Sequence, residues 1–242
     1  MQYAEFAQVY DVLMSQVPYA AWVDFILKKT SPPKGAEVFD AACGTGSAAL
    51  EFSKRGFKVT AMDISEDMLQ VAAERFRLAG RRVSLIEGDI AHFSLHRPVN
   101  LITCVCDGVN YLTDSRDAQR FFDRAFGFLK TDGALAFDIS GVCKLEERLP
   151  GNLFYEDRDE ITYFWQSEFK DGICGMELTF FVKQPGGLYE RFDERHFQRA
   201  YGLNEIKGML LKSGFEKIEC LDGYSDRPAV PESERMLFIA YK

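Results

Sequence analysis

Three features that identify membrane, secreted and metal-binding proteins are missing from this sequence of 242 residues. No stretch reaches the roughly 18 consecutive apolar residues that cross a bilayer, and no basic segment followed by an apolar core indicates a secretory signal at the N-terminus. The six cysteines form no CxxC pair, so we expect reduced thiols in a cytoplasmic protein. His92 and His96 have no carboxylate-rich cluster beside them, so we expect no metal.

Positive charge is scarce as well. The 29 Lys and Arg residues are outnumbered by 37 Asp and Glu residues, which gives a net charge of −8. Strong nonspecific attraction to nucleic acid is therefore not expected. The composition does contain 47% hydrophobic residues, which is enough to fill the core of one large domain, or of one domain with a modest insertion.

Strand and helix patterns alternate through the middle of the chain. The strands are predicted near 36–41, 58–63, 83–88, 99–106 and 133–140. The helices are predicted near 47–55, 66–79 and 115–130. Such alternation implies right-handed crossovers and a parallel sheet, and the nearly continuous apolar fourth strand indicates helices on both faces. We therefore predict a doubly wound α/β fold.

Other segments depart from this alternation. Residues 151–201 are predicted to form an antiparallel β meander, because Asp171-Gly172 is a hairpin signal between two strand-like runs. A helix near 204–213 and two final strands follow it. The predicted organisation is an N-terminal helical segment at 1–35, a main domain at 36–150 and 202–242, and an inserted β subdomain at 151–201.

The run Val38-Phe-Asp-Ala-Ala-Cys-Gly-Thr-Gly46 carries the strongest functional signal. It predicts a buried strand that ends at Asp40, a turn through Gly44 and Gly46, and a helix that begins near Ser47. Glycine allows the backbone to turn sharply and to approach a ligand closely, and the start of a helix offers N–H groups and a positive dipole end. The Asp40 carboxylate favours a ligand with a cationic group over a bare pyrophosphate.

Acidic residues also follow the second and third strands. Asp63 comes 17 residues after Gly46 and can accept both hydroxyls of a ribose; alternatively, Asp63-Ile-Ser65 only caps the next helix. Asp89, in Gly88-Asp-Ile90, can accept from the amino group of an adenine; alternatively, it belongs to a simple turn. All three strand ends belong on one edge of a parallel sheet.

The loop after the fourth strand, Cys106-Asp-Gly-Val-Asn-Tyr-Leu112, is predicted to lie at the same edge. Asn110 and Tyr111 are candidates to hold a second substrate or to line its entrance. The alternative is a loop that only caps the helix beginning near Thr113.

One face of the meander is polar. Alternation along the strand places Glu194, His196 and Gln198 on the same side. If that side covers the sheet edge, His196 could act as a base or orient a substrate. The alternative, which we favour, is the solvent-exposed face of an antiparallel sheet.

In order and spacing, these segments resemble the class I S-adenosylmethionine (SAM)-dependent methyltransferases. The resemblance spans about 36–140 and returns in the final helix and two strands. It implies a seven-stranded, mainly parallel sheet whose last strand is antiparallel. The N-terminal segment resembles the lid of small-molecule methyltransferases, including sugar N-methyltransferases and glycine/sarcosine-type enzymes. Ala42 stands where the family has a glycine, which we expect to narrow the loop only slightly.

The resemblance also implies SAM as the cofactor and assigns candidate residues by position. The candidate cofactor-binding residues are Tyr10, Tyr19, Trp22, Asp40, Ala42, Gly44, Gly46, Asp63, Ile64, Met68, Asp89, Ile90 and Cys106. The candidate catalytic residues are Asn110, Tyr111 and His196. Aromatic side chains beside a sulfonium are physically reasonable, because the ring quadrupole attracts cations.

The implied function is transfer of a methyl group from SAM to a small-molecule N or O nucleophile, by a monomer or homodimer that needs neither nucleic acid nor a membrane. The lack of an obvious strong base favours nitrogen, because a neutral amine needs little help to attack. Two alternatives stay open. Gly44-Thr-Gly-Ser-Ala-Ala49 also fits the GxGxxA fingerprint of NAD(P)-dependent oxidoreductases, and the chain could bind SAM without catalysis.

Overall fold

Helices and strands alternate along residues 6–242, the part of the chain that the computed structural model describes. The helices are α1 (Phe6–Leu13), α2 (Tyr19–Thr30), α3 (Ser47–Lys54), α4 (Glu66–Leu78), α5 (Ser115–Phe128) and α6 (Leu203–Ser213). The strands are β1 (Glu37–Ala41), β2 (Lys58–Asp63), β3 (Ser84–Glu87), β4 (Val99–Cys104), β5 (Leu129–Ser140), β6 (Leu153–Asp157), β7 (Ile161–Lys170), β8 (Ile173–Lys183), β9 (Tyr189–Arg199), β10 (Lys217–Asp222) and β11 (Arg235–Tyr241). Short helical turns lie at Met14–Gln16, Gly108–Tyr111 and, in π-helical form, Cys143–Arg148.

The larger sheet has seven strands in the order β10-β11-β5-β4-β1-β2-β3. Neighbours from β5 to β3 pair in parallel, whereas β11 is antiparallel to both β5 and β10. The predicted doubly wound α/β fold with an antiparallel last strand is confirmed. Because the order reverses at β1 and β4, the loops that follow these two strands diverge and leave a crevice at the carboxyl edge of the sheet.

Side chains alternate between the two covered faces of this sheet. Along β1, Val38 packs with residues of α2 and α3, whereas Phe39 packs on the opposite face with residues of α5 and α6. Both side chains are buried, and each apolar side chain of this size stabilises the fold by about 1.5–3 kcal/mol. Burial on both faces explains why the strands are apolar without a two-residue alternation.

The junction between α5 and β5 differs from the sequence prediction. A helix to 130 and a strand from 133 were expected, but α5 ends at Phe128 and β5 begins at Leu129. The amine of Lys242 donates to the carbonyls of Phe126 (2.6 Å) and Leu129 (2.8 Å). It therefore satisfies acceptors that the end of a helix leaves open, and this contact comes from the other end of the chain.

The predicted meander is a four-stranded antiparallel sheet in the order β6-β7-β8-β9. Along β9, Glu194, His196 and Gln198 are buried, whereas Arg195 is exposed. The expectation that this polar face points to solvent was therefore wrong. It faces the carboxyl edge of the larger sheet, where Gln198 Nε2 donates to Asp107 Oδ2 at 3.0 Å.

Helix α1 joins the two sheets. Phe6 packs against Phe180 of β8, with 5.7 Å between the ring centroids. On the other side, Asp11 Oδ1 accepts from Thr45 Oγ1 in the glycine loop at 2.6 Å. Helix α1 is thereby fixed above the crevice. Residues 1–5 of the predicted N-terminal segment lie outside the described residues.

Candidate active site

A cavity of about 330 Å³ lies at the carboxyl ends of β1 to β4. The glycine loop forms one wall, and α1 covers it with Phe6 and Tyr10. The predicted site residues that line the cavity are Tyr10, Tyr19, Asp40, Ala42, Gly44, Asp63, Ile64, Met68, Asp89, Ile90, Cys106 and Tyr111. The three strand-end carboxylates therefore share one cavity.

Asp63, at the end of β2, organises the glycine loop as well as lining the cavity. Its Oδ2 accepts the amide N–H of Gly44 at 2.7 Å, and its Oδ1 accepts that of Ser65 at 3.0 Å. Burial raises the pKa of this carboxyl, and the backbone amides oppose the shift. The helix cap itself is Ser65, whose hydroxyl accepts from the amide of Met68 at 3.2 Å. A carboxylate has about four acceptor positions, so Asp63 keeps capacity for a ligand.

Asp40, at the end of β1, is almost completely buried. Its Oδ1 accepts from Thr103 Oγ1 at 2.6 Å, whereas Oδ2 has no hydrogen-bond partner within residues 6–242. Burial raises the pKa of Asp40 to about 7; the Thr103 hydrogen bond opposes this shift, the nearby Asp63 adds to it, and the Ala49 amide opposes it. Leaving a buried carboxylate oxygen without a hydrogen-bond donor costs free energy. A cationic ligand group would satisfy this oxygen.

Ala42, which stands where the family has a glycine, is accommodated by a second glycine nearby. Ala42 has a φ of 54°, in the left-handed region that disfavours side chains. A Cβ added to Gly108 would lie 3.0 Å from the Ala42 Cβ and 2.7 Å from the Cys104 sulfur. The missing side chain at Gly108 therefore makes room for the extra methyl group at Ala42. The sequence predicts only a slight narrowing of the loop; the backbone strain at Ala42 is a further feature of the structure.

The far end of the cavity, beside β3, combines one acid with apolar side chains. Strand β3 ends at Glu87, slightly before its predicted end, and Asp89 lies in the turn that follows. Asp89 Oδ1 accepts the amide of Ala91 at 2.8 Å, and Oδ2 lies 3.1 Å from His92 Nδ1. Ile90 is buried beside it. A polar acceptor next to apolar surface can receive the edge and the face of a flat base.

At the opposite end, beside β4, the cavity is lined by three tyrosines and a thiol. The Tyr19 hydroxyl lies 3.7 Å from the Cys106 sulfur. Burial and the nearby Cys106 raise the pKa values of Tyr10 and Tyr19, and burial and Asp107 raise that of Cys106 to about 12. Tyr10, Tyr19 and Cys106 are therefore neutral near pH 7. We call Tyr10, Tyr19, Cys106 and Tyr111 the phenol–thiol cluster.

Four predicted residues do not line the cavity: Trp22, Gly46, Asn110 and His196. Trp22 stacks on Tyr224, with 4.3 Å between ring centroids and 4° between the planes, and is not among the residues that line the cavity. The Asn110 amide donates to the Ser140 carbonyl at 3.1 Å and accepts the Ser140 amide at 2.9 Å. Gly46 begins α3, and a Cβ there would lie 2.6 Å from Phe76.

His196 lies just behind the cavity wall. Its Nδ1 is 3.4 Å from the Tyr111 hydroxyl, and its ring contacts that of Phe6 with 5.2 Å between centroids. Burial lowers the pKa of His196 from 6.5 to about 4. The imidazole is thus neutral at pH 7, where its contact with Tyr111 can orient that phenol.

Sequence reasoning missed a polar group next to the phenol–thiol cluster. Asp107 and Asp138 are both paired with Arg235. Asp107 directly follows Cys106, so its position after β4 could have marked it as a fourth acid at a strand end. Asp138 lies inside β5 and Arg235 begins β11, and no local pattern connects them.

Residues 6–242 contain no group of three His, Cys, Asp or Glu side chains placed to hold a metal ion. In the same part of the chain, no helix is both long and apolar enough to cross a membrane.

Comparison with known proteins gives the family. A methyltransferase domain family matches residues 38–133. YqeM of Bacillus subtilis strain 168, described only as a methyltransferase, is 33% identical over 100% of this chain and 98% of its own. A SAM-dependent methyltransferase from Clostridium acetobutylicum, with 33% identity, covers 99% of this chain and 98% of its own at a TM-score of 0.90. The chain belongs to the SAM-dependent methyltransferases.

The fold extends to more distant members. DesVI of Streptomyces venezuelae, 24% identical, has a TM-score of 0.81 over 97% of both chains. The residues present here fit SAM as cofactor. The unpartnered Asp40 Oδ2 suits its cationic groups, and the glycine loop with the start of α3 supplies N–H groups that suit its carboxylate.

Proposed function

We propose that this methyltransferase acts on a small molecule with a nucleophilic nitrogen or oxygen, and that an amine is its preferred acceptor. The observation that carries the proposal is the composition of the cavity beside β4, where Tyr10, Tyr19 and Cys106 of the phenol–thiol cluster are neutral near pH 7. Among the described residues that line the cavity, none is Lys, Arg or His. An anionic acceptor would find no counter-charge there, whereas a neutral amine needs none.

The strand order sets the proposed orientation of SAM. Asp89 and Ile90 beside β3 would receive the adenine, Asp63 after β2 the ribose hydroxyls, and Asp40 after β1 the cationic amino group. Ile64 and Met68 would complete the apolar surface around the nucleoside. The methyl group would then point beyond β1 to the phenol–thiol cluster, because β4 is the next strand in the sheet.

When bound, SAM supplies a methyl group that its sulfonium has already activated. The protein's part is to hold the acceptor in line at about 3–3.5 Å and to exclude water. Tyr10 and Tyr19 would cover the reacting end, and their oxygens and ring faces suit a neighbouring cation. Tyr111, 42% exposed, would contact the incoming acceptor.

The candidate catalytic residues take different roles in this proposal. With a pKa of about 4, His196 is a weak base, and it would orient the Tyr111 hydroxyl. Asn110 joins Ser140 to the Arg199 carbonyl, which accepts from its amide at 2.8 Å, so it would fix the loop and not touch the acceptor. The absence of a strong base from this list favours an amine over a hydroxyl.

Two further observations support a small acceptor. A relative from Streptomyces venezuelae, 24% identical over 92% of this chain, is named as a dTDP-amino-sugar N,N-dimethyltransferase. Helix α1 also covers the cavity with Phe6 and Tyr10, and such a cover suits a small molecule better than a nucleic acid. We propose a cytoplasmic enzyme acting as a monomer or homodimer, and the unpaired thiols of all six cysteines fit that location.

The proposed SAM orientation is tested with Asp63→Asn. Loss of one charged hydrogen-bond acceptor is expected to weaken SAM binding by about 1.5–3 kcal/mol, which is about 10- to 150-fold. Isothermal titration calorimetry with SAM and with S-adenosylhomocysteine measures the effect. Both ligands should lose similar affinity, because both carry the ribose.

Asp171→Asn is the matched control. Asp171 is exposed in the β7–β8 turn with a φ of 52°, a conformation that asparagine tolerates. The Asp171→Asn protein should bind SAM and S-adenosylhomocysteine as the wild type does. SAM affinity in Asp63→Asn within about twofold of wild type would contradict the proposed ribose contact.

The acceptor class is tested by incubating the protein with methyl-labelled SAM and a panel of amines, alcohols and carboxylic acids of similar size. Labelled product is expected from amines. Transfer only to carboxylic acids would refute the proposal, because they require the counter-charge that the cavity wall lacks.

A further inference from the structure

Behind the phenol–thiol cluster lies a second polar group, which we call the Arg235 cluster: Trp22, Asp107, Asp138, Tyr224 and Arg235. The Arg235 guanidinium pairs with Asp138 and lies 3.4 Å from Asp107. It also lies over the Trp22 ring, 5.3 Å from the centroid, and Trp22 stacks on Tyr224. One arginine thus connects the ends of β4 and β5 with helix α2.

The cluster holds a strained turn. Cys106 and Asp107 have φ values of 66° and 56°, and two consecutive residues other than glycine in the left-handed region need external support. Asp138 Oδ1 accepts the Cys106 amide at 2.6 Å. Asp107 Oδ2 accepts from Ser140 Oγ at 3.2 Å. The backbone of the first residue and the side chain of the second are therefore both fixed.

This turn faces the reacting end of the cavity. Cys106 lines it, and its sulfur is within 3.7 Å of the Tyr19 hydroxyl. Tyr19 and Trp22 belong to the same first turn of α2. Arg235 therefore reaches the cavity wall by two routes, through Asp138 to the Cys106 amide and through Trp22 to the helix that carries Tyr19.

The charges explain why the cluster is rigid. Burial disfavours ionised Asp107, but Arg235 and Lys144 hold its pKa below the usual value. Burial also opposes the charge on Arg235, and Asp138 and Asp107 raise its pKa well above normal. Buried charges are stable only when each keeps its partners. Shifting the turn would break the ion pairs that stabilise these largely buried charges.

We propose that Arg235 is a positioning residue for methyl transfer. Without touching SAM, it holds the Cys106–Asp107 turn and, through Trp22, the Tyr19 end of α2, so that the cavity fits the methyl group. The inference depends on the orientation of SAM proposed above.

Arg235→Lys tests this, because it keeps the charge and removes the planar fork that contacts two carboxylates and an aromatic ring. Two measurements respond to the turn itself. Hydrogen exchange at the Cys106 amide, followed by mass spectrometry of peptides that cover 104–108, should become about tenfold faster or more. Calorimetry should show SAM losing about three- to tenfold more affinity than S-adenosylhomocysteine, which lacks only the methyl group and its charge.

Arg227→Lys is the control. Arg227 lies in the β10–β11 connection that precedes Arg235 but pairs with Asp222 at the surface, with 78% of its side chain exposed. Neither exchange at 104–108 nor the ratio of the two affinities should change. A milder variant, Tyr224→Phe, removes only the hydrogen bond of 3.0 Å to Asp138. Its Cys106 exchange rate and its affinity ratio should change in the same direction as in Arg235→Lys, but by a smaller amount. This variant decides the question if Arg235→Lys does not fold.

The outcomes separate the two proposals. If wild type binds both ligands but Arg235→Lys leaves the affinity ratio and the Cys106 exchange unchanged, the positioning role is wrong and the proposed function stands. If Asp63→Asn also binds both ligands like wild type, the orientation of SAM is wrong and the positioning role falls with it.

Discussion

The low pKa of His196 makes protein stability depend on pH in a way that one substitution can remove. The imidazole is 4% exposed, and burial lowers its pKa from 6.5 to about 4. In the unfolded chain it binds a proton near pH 6.5, whereas in the folded protein it stays neutral until about pH 4. Stability from this group is therefore fully present above pH 6.5 and is lost as the pH falls toward 4.

The size of the effect follows from the two pKa values. Between pH 8 and pH 4.5, the free energy of unfolding should fall by about 2.5 kcal/mol through His196. About 1.4 kcal/mol of this loss should already be present at pH 5.5.

His196→Gln is the perturbation, because glutamine keeps a polar group near Tyr111 and does not titrate. Urea unfolding of both proteins at pH 8, 5.5 and 4.5 measures the difference in unfolding free energy, in which shared carboxyl titrations cancel. The advantage of wild type at pH 8 should shrink by about 2.5 kcal/mol at pH 4.5. A difference that stays constant within about 0.5 kcal/mol would refute the reasoning and restore His196 as a candidate base.

Two further substitutions test the glycine loop and the adjoining strand end. Gly46→Ala should lower the free energy of unfolding by about 2–5 kcal/mol, because its Cβ would lie 2.6 Å from Phe76 at a φ of 79°. The control Gly56→Ala, with a φ of 85° and open space around the Cβ, should lower it by only about 1–2 kcal/mol in thermal unfolding; equal losses would contradict the packing argument. Asp40, with a pKa of about 7, should ionise when cationic SAM binds, so SAM affinity should rise about tenfold from pH 6 to pH 8. Calorimetry should find that rise absent in Asp40→Asn, and an unchanged pH dependence there would exclude Asp40 as its source.

The local sequence determined the parts of the site that one strand–turn–helix unit contains. Asp40, Gly44 and Asp63 are brought together by β1, the glycine turn and the adjacent parallel strand β2, and each step has a pattern that is visible within a few residues. The alternation along β9 likewise showed that Glu194 and His196 share a face. These features follow from hydrogen-bonding geometry that repeats along the chain.

Only the tertiary structure decided which partners those residues meet. Whether the His196 face is wet or buried depends on which side of the small sheet packs on the large one, and alternation is the same in both cases. Trp22 packs against Tyr224 instead of lining the cavity, and Arg235 pairs with Asp138. The members of each pair are far apart in the sequence, and no periodic pattern relates them. Burial drives such choices because a charge or a ring removed from water must find its complement wherever the fold presents one.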